Sequence, residues 1–186
     1  MDNTNNPYSR KKEPELNKQL IIDAATEIGS ETDWHQVTFQ AIADKTGLSK
    51  GGIIHHFRNK EELLDELMSR SLSELKSWLE QYKAENGEKD GELGYLKSVF
   101  EQRNDARYAK TMRIVLQAIM INPKYTEQWL DWYNENILPS DSEELSVKSL
   151  IIILIADGIW YNENMGGKKL NNDEKEKLFE YLKHLK

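Results

Sequence analysis

Residues 38–67 read TFQAIADKTGLSKGGIIHHFRNKEELLDEL, and the local chemistry of that stretch decides the fold class. Thr38 can N-cap FQAIADKT, in which Phe39, Ile42 and Ala43 fall at i, i+3 and i+4 and share one face. Gly47 supplies the left-handed residue that stops this helix, and Leu48 then turns inward. Ser49 can cap KGGIIHHF, whose Ile53, Ile54 and Phe57 are expected to point back at the core. Asn59 and Glu62 have capping-box spacing for a third helix that opens at Lys60. Two short helices about a glycine-containing turn form a helix-turn-helix, which lays its second helix in a DNA major groove.

On the N-terminal side, residues 1–14 (MDNTNNPYSRKKEP) have little apolar content and are expected to form a flexible arm carrying Arg10, Lys11 and Lys12. Such a basic arm could reach a minor groove, but a solvated tail is the commoner outcome. From Glu15 to about Gly29 a helix is predicted with Leu16, Leu20, Ala24 and Ile28 along one row, bracing the two short helices. On the C-terminal side, the helix from Lys60 runs through Leu63, Leu64, Leu67, Met68, Leu72, Leu75 and Leu79 to about Tyr82, long enough to connect a head to a body. NGEKDGELG at 86–94 breaks the pattern with three glycines. Helices are predicted at 95–103 and 106–121, then from Asn122-Pro123 to near Pro139. Ser140 and Glu143 match a capping box for a helix at 143–165 ended by Gly166-Gly167, and Asn171 or Asn172 caps a last helix with Leu178, Phe179, Leu182 and Leu185. No strand-period alternation is present. The predicted class is all-α, with an arm at 1–14, a helix-turn-helix head at 15–66 and a helical ligand-binding and dimerisation bundle at 67–186.

Around LIIILIADGIW (150–160) apolar residues occupy every face, so that helix must be covered on all sides. A second copy of the chain, with the last helix alongside, would close it as a four-helix interface. A central core helix in a monomer is the other reading.

Composition limits the function classes. The 186 residues carry a net charge of −7, unusual for a nucleic-acid binder. Residues 1–70 hold nine Lys/Arg and twelve Asp/Glu. Between Trp34 and Lys60, however, Lys45, Lys50, Arg58 and Lys60 stand against Asp44 alone, a local +3 sufficient for phosphate contact. The absence of cysteine excludes disulfides, thiolate nucleophiles and thiolate metal sites. His55 and His56 diverge as adjacent helix residues and do not make a metal site. With no apolar leader and no run near the ~20 residues of a membrane span, a soluble cytoplasmic protein with no membrane contact is expected. No metal and no cofactor are implied.

The C-terminal part is rich in rings: Trp78, Tyr95, Tyr108, Trp129, Trp132, Tyr133, Trp160 and Tyr161. They could cage a flat or cationic apolar compound or serve as core and interface residues. Met112, Met120 and Met165 pose the same choice between pocket wall and gap filling. Asp157, in an otherwise apolar helix, could counter a cationic ligand, cap a neighbouring backbone or pair across a dimer. The candidate ligand set is Met112, Leu116, Trp129, Trp132, Asp157, Trp160 and Tyr161.

The residues Ala24-Ala25, Gly29, Thr38, Ile42-Ala43, Gly47-Leu48-Ser49, Gly52, His56-Phe57 and Lys60-Glu61-Leu63-Leu64, in that order and spacing, resemble the TetR family of bacterial transcriptional repressors. The resemblance covers roughly residues 16–67 and is architectural beyond them. It implies that Thr38, His56 and Lys60 contact phosphate, while Ser49, Lys50, Gly51 and Gly52 enter the groove first. Lys50 is the best base-reading candidate, since an ammonium can donate to guanine O6 and N7. Ile54 stands where the family usually has tyrosine. It can touch a thymine methyl or pack, and His55 can take over a polar contact. The resemblance further implies a non-enzymatic homodimer that binds a palindromic double-stranded DNA operator and is released by a small apolar or cationic effector. The alternatives are a helical-bundle enzyme, against which stand the missing phosphate-loop and paired E-x-x-H motifs, and a protein-interaction adaptor.

Overall fold

The computed structural model describes residues 14–32, 34–86, 91–101, 106–138 and 145–185, and among these it is helical throughout, with no strand. The order is α1 (Pro14–Glu31), a 3₁₀ turn (Trp34–Gln36), α2 (Phe39–Thr46), α3 (Lys50–His56), α4 (Lys60–Asn86), α5 (Gly91–Glu101), α6 (Ala106–Ile121), α7 (Pro123–Asn136), α8 (Val147–Asn164) and α9 (Asn172–Lys183). The expected arm falls almost wholly outside the described residues; Pro14 itself begins α1.

The head forms by the local signals in its sequence. The Ala41 N–H donates to Thr38 Oγ1 (3.1 Å), and the Gly52 N–H donates to Ser49 Oγ (3.1 Å). Gly47 adopts φ 71°, a value that a side chain disfavours, and its N–H closes α2 on the Ala43 carbonyl. Glu62 donates its N–H to Asn59 Oδ1 (2.8 Å), and its carboxylate accepts from the Arg58 N–H (2.8 Å). Ile21, Ile42, Ile53, Phe57 and Leu63 meet in a buried cluster that continues along α4 into the body as Leu67, Leu96, Ile114 and Ile152. Each such side chain, fully buried, is worth roughly 1.5–3 kcal/mol.

Several expectations are corrected. On α1, Ala24 is buried and Ile28 packs on the core as expected, but Leu16 is 53% exposed and Leu20 40% exposed; the rest of the buried face is Ile21, Ile22, Ala25 and Gly29. A row of strict i+4 spacing turns about 40° around the helix at each step, so its two ends cannot face one core. Ile54 faces solvent rather than the core. The long connector runs to Asn86, and α5 opens at Gly91, so Gly94 lies inside a helix. A Cβ at Gly94 would come within 2.7 Å of Tyr82 Cδ1, so here the small residue serves close approach of α4 and α5. The helix expected from 143 opens at Val147, where Ser146 Oγ accepts from the Ser149 N–H (3.0 Å); the Ser140–Glu143 capping box lies outside the described residues. Met120 and Met165 are exposed and form neither pocket wall nor core filling. The last helix begins as expected, with Asn171 and Glu174 in a reciprocal capping box.

In the body, α5 packs on α8 and α4, α6 lies against α1, α4 and α7, and α9 covers α5. The buried face of α8 is Ile152, Ile153, Ala156 and Trp160, while Val147, Leu150, Leu154 and Tyr161 are exposed. One chain therefore covers only half of this apolar helix.

Candidate nucleic-acid interface and effector region

Capping leaves α3 with a fixed outward face. Ile53 and Phe57 are buried beneath it, and Lys50, Gly51, Ile54 and His55 are exposed on the outside, with Gly52 and His56 half-buried at its edges. Ile54 lies one turn beyond Lys50 on the same side, a placement legible from the i, i+4 spacing. Thr38 and Ser49 are both exposed at the starts of their helices. Lys60, half-buried in the first turn of α4, donates to the Trp34 carbonyl, and its ammonium lies 5.2 Å from the centre of the Trp34 ring. It thus ties the 3₁₀ turn to α4 at the edge of the same surface.

The aromatic residues of the body gather into one stack. Trp129 is sandwiched between Trp132 (centroids 5.6 Å apart, planes 23°) and Trp160 (5.4 Å, 4°), and it tilts against Tyr133 at 5.8 Å. Trp132 Nε1 is a buried donor with no hydrogen-bond partner, the sole such side-chain atom among the described residues. An unmet buried donor carries a desolvation penalty of about 1–3 kcal/mol, and such groups mark places where an acceptor would be welcome.

Asp157 is the polar centre of this region. Tyr95 Oη donates to its Oδ1 (2.8 Å) and Tyr133 Oη to its Oδ2 (3.0 Å), and the two rings meet edge to face at 5.9 Å. Within one chain Asp157 caps no backbone; two tyrosine hydroxyls hold it instead. Burial raises its carboxyl above the ordinary value, and the two hydroxyls pull part of the way back. Burial and the adjacent Asp157 push the Tyr95 and Tyr133 hydroxyls up. Because the folded carboxyl ionises at higher pH than the unfolded one, the folded state holds the extra proton across that interval. Stability then falls as pH rises through it. Asp157→Asn should remove this component, so the difference in urea midpoint between variant and parent should shift in the variant's favour as pH rises above the ordinary carboxylate range. A difference independent of pH would show that Asp157 titrates as it does in the unfolded chain.

Of the candidate ligand residues, Met112 and Trp160 share a cleft of about 230 Å³ with Tyr108, Val99, Glu163 and Leu170, between α5, α6, α8 and the start of α9. Trp160 is also the end of the indole stack. Trp129 and Trp132 lie deeper in that stack, Leu116 is buried core, and Tyr161 is on the outside, meeting Trp160 edge to face at 5.1 Å. Tyr95, Tyr108 and Tyr133 stand among the candidate rings but outside the candidate ligand set, and Glu163 is in neither. Their ring and carboxylate chemistry is visible in the sequence, but their convergence is not.

On α9, Tyr181 is also exposed. A shallow groove of about 420 Å³ runs between α8 and α9, lined mainly by Ile155, Gly158, Ile159, Leu170 and Leu178.

A capped helix-turn-helix on an all-helical body defines the class of helix-turn-helix transcription regulators, and comparison with known proteins agrees. The profile described as "Bacterial regulatory proteins, tetR family" matches residues 21–67, and that described as "Tetracyclin repressor-like, C-terminal domain" matches residues 93–186. The chain belongs to the TetR family of bacterial regulatory proteins. It is 27% identical over 180 residues to the HTH-type transcriptional regulator BetI of Stenotrophomonas maltophilia, covering 88% of this chain and 89% of that protein. An uncharacterised HTH-type transcriptional regulator of Bacillus subtilis, YhgD, is 37% identical over 59 residues; the match spans 32% of this chain and 31% of that protein. A transcriptional regulator from Aquifex aeolicus has a similar fold, with TM-score 0.64 at 22% identity over 89% of this chain and 97% of that one. The family is one of DNA-binding transcriptional regulators, not enzymes. Among the described residues no helix is long and apolar enough to cross a membrane.

Proposed function

We propose that this regulator binds an inverted-repeat DNA operator as a homodimer and that a small apolar or cationic effector lowers its operator affinity. The observation that carries the DNA reading is the bare outward face of α3, where Lys50 and Ile54 stand one turn apart with no core contact of their own. Lys50 reads a guanine, Ile54 and the Gly51-Gly52 backbone lie close to the groove floor, and His55 contributes a polar contact. Thr38, Ser49, His56 and Lys60 hold the phosphates around them. The half-covered α8, with its groove and Tyr181, supports a two-fold dimer whose heads are held at a fixed separation. For the effector, the cleft of Met112, Tyr108 and Trp160 meets the indole stack at Trp160 and carries the Glu163 carboxylate in its wall, with Lys169 and Lys175 at its edge. Rings suit a flat apolar compound, and ring faces with nearby carboxylates suit a cation.

Selection of bound sequences from a random DNA pool tests the DNA part. It should return an inverted repeat with half-site centres about one helical turn, ~10 bp, or a multiple apart. In the same selection Lys50→Ala should relax preference at one base position in each half-site, at a cost on the order of 1–3 kcal/mol there. A motif without symmetry would refute the dimer, and an unchanged motif in Lys50→Ala would refute the base-reading role.

A further inference from the structure

The head is joined to the body at two places besides the continuous α4. At the first, α1 lies directly on α6. A Cβ on Gly29 would meet Ile114 Cδ1 at 3.0 Å and Val37 Cγ2 at 3.2 Å, so the Ile114 side chain of α6 sits directly against the α1 backbone. Arg113 Nη1 donates to the Ser30 carbonyl (3.2 Å) beside this contact, and Arg107 pairs with Asp23 at 3.2 Å. The second lies across the head, where the first turn of α7 reaches the first turns of α4. Lys124 Nζ donates to both oxygens of Asp65 (2.7 and 2.9 Å) and to Glu61 Oε1 (3.2 Å). Tyr125, its side chain fully buried, donates from Oη to Asp65 Oδ1 (2.8 Å). Hydrogen bonding from Asp65 raises the Lys124 ammonium, and burial, then Asp65, raises the Tyr125 hydroxyl.

The two joints differ in kind. The first combines close packing at Gly29 with polar bonds from Arg113 and Arg107. At the second, the seam is open: a cleft of about 380 Å³ lies alongside, lined by Trp34, Leu64, Ala118, Ile121 and others, with Glu61 and Tyr125 in its wall. On that side the bonds of Lys124 and Tyr125 to α4 bridge head and body beside the cleft.

We infer that Lys124, Tyr125 and Asp65 are positioning residues for DNA binding: they latch α4 to α7 and fix the angle of the head about the α1–α6 contact. The α4 end of the latch is within a turn of Lys60, which grips the Trp34 turn of the head. Its α7 end is on the helix that carries Trp129 and Trp132, so a shift of the indole stack moves the latch directly. An exposed ion pair adds little to stability, so the latch acts on orientation rather than on whether the chain folds. With the latch open the heads pivot, and the dimer tolerates half-site separations that the latched form rejects.

The inference rests on the dimeric DNA reading above, and the test separates the two. The full-length dimer is titrated against a series of inverted repeats with the half-site separation changed by about one and two base pairs either way. The parent protein should show a single preferred separation; a parent that shows none refutes the dimeric reading, and the latch with it. The Lys124→Met/Tyr125→Phe variant should lose discrimination between preferred and altered separations by roughly fivefold or more, with circular dichroism and dimer mass unchanged. Lys124→Arg, which keeps the charge and the donors, should retain the parent profile. If the double variant does not fold, Asp65→Leu, which removes the acceptor of both Lys124 and Tyr125, carries the same expectation. Uniform weakening at every separation, or a profile identical to the parent's, would overturn the latch and leave these residues a structural role.

Discussion

Leu154→Glu should cut affinity for a full inverted repeat by roughly a hundredfold or more, and the variant should sediment as a monomer. Leu154 is 59% exposed on α8, so the substitution leaves the fold of one chain intact. In a two-fold interface the same face meets itself, so each new carboxylate enters the contact twice and is desolvated opposite apolar side chains or its own copy. A monomer still has one complete head, but it loses the linkage that makes binding of the second half-site intramolecular. That linkage is typically worth about 10²–10⁴ in avidity. The check is sedimentation velocity together with gel shifts on a full repeat and on a lone half-site. Leu154→Glu should bind the lone half-site as the parent does and gain little from the second. A dimeric Leu154→Glu with parental affinity would place the interface elsewhere and remove the physical basis for a symmetric operator.

Trp129→Ala should destabilise the protein by about 3–5 kcal/mol, the usual range for deleting a buried tryptophan. Trp129 is the middle member of the stack and touches Trp132, Trp160 and Tyr133, so no neighbour can close the gap without breaking another ring contact. Urea unfolding at matched protein concentration measures the loss, since dimerisation adds to the apparent stability of both proteins. The head's caps and turn are local, so the head should stay folded at low temperature, and operator discrimination should change only through the latch on α7. A cost below about 1 kcal/mol would mean that the stack is loose enough to collapse around the hole. It would also make the indoles a mobile pocket wall rather than a rigid relay to α7.

The legibility of the chain follows the range of the forces involved. In the head, the expected starts of α2, α3 and α4 agree with the structure because Thr38, Ser49 and Asn59 cap their helices through bonds to residues three positions away. Gly47 likewise acts on its own backbone. The family match rests on the same local pattern and was readable for that reason. In α1, by contrast, the apolar residues offered two plausible faces. Leu16 and Leu20 are as apolar as Ile21 and Ile22, and only packing against α2, α3 and α6 selects the second pair.

The ligand candidates show the same division. Ring chemistry marked the region correctly as aromatic, yet Tyr95 and Tyr133 reach Asp157 across 62 and 24 residues of chain. No spacing rule spans that distance. The latch between Lys124 and Asp65 crosses 59 residues, and each member alone reads as an ordinary solvated charge. The sequence by itself determined the all-helical class, the capped head, the basic patch and the apolar α8, because these depend on periodicity, capping and composition within a few turns. Only the tertiary structure decided which face of α1 is buried, that α8 is left half-covered, how the indoles stack and where head and body are tied. Those outcomes depend on burial and polar pairing between helices, and a linear pattern carries the capacity for such contacts but not the partner.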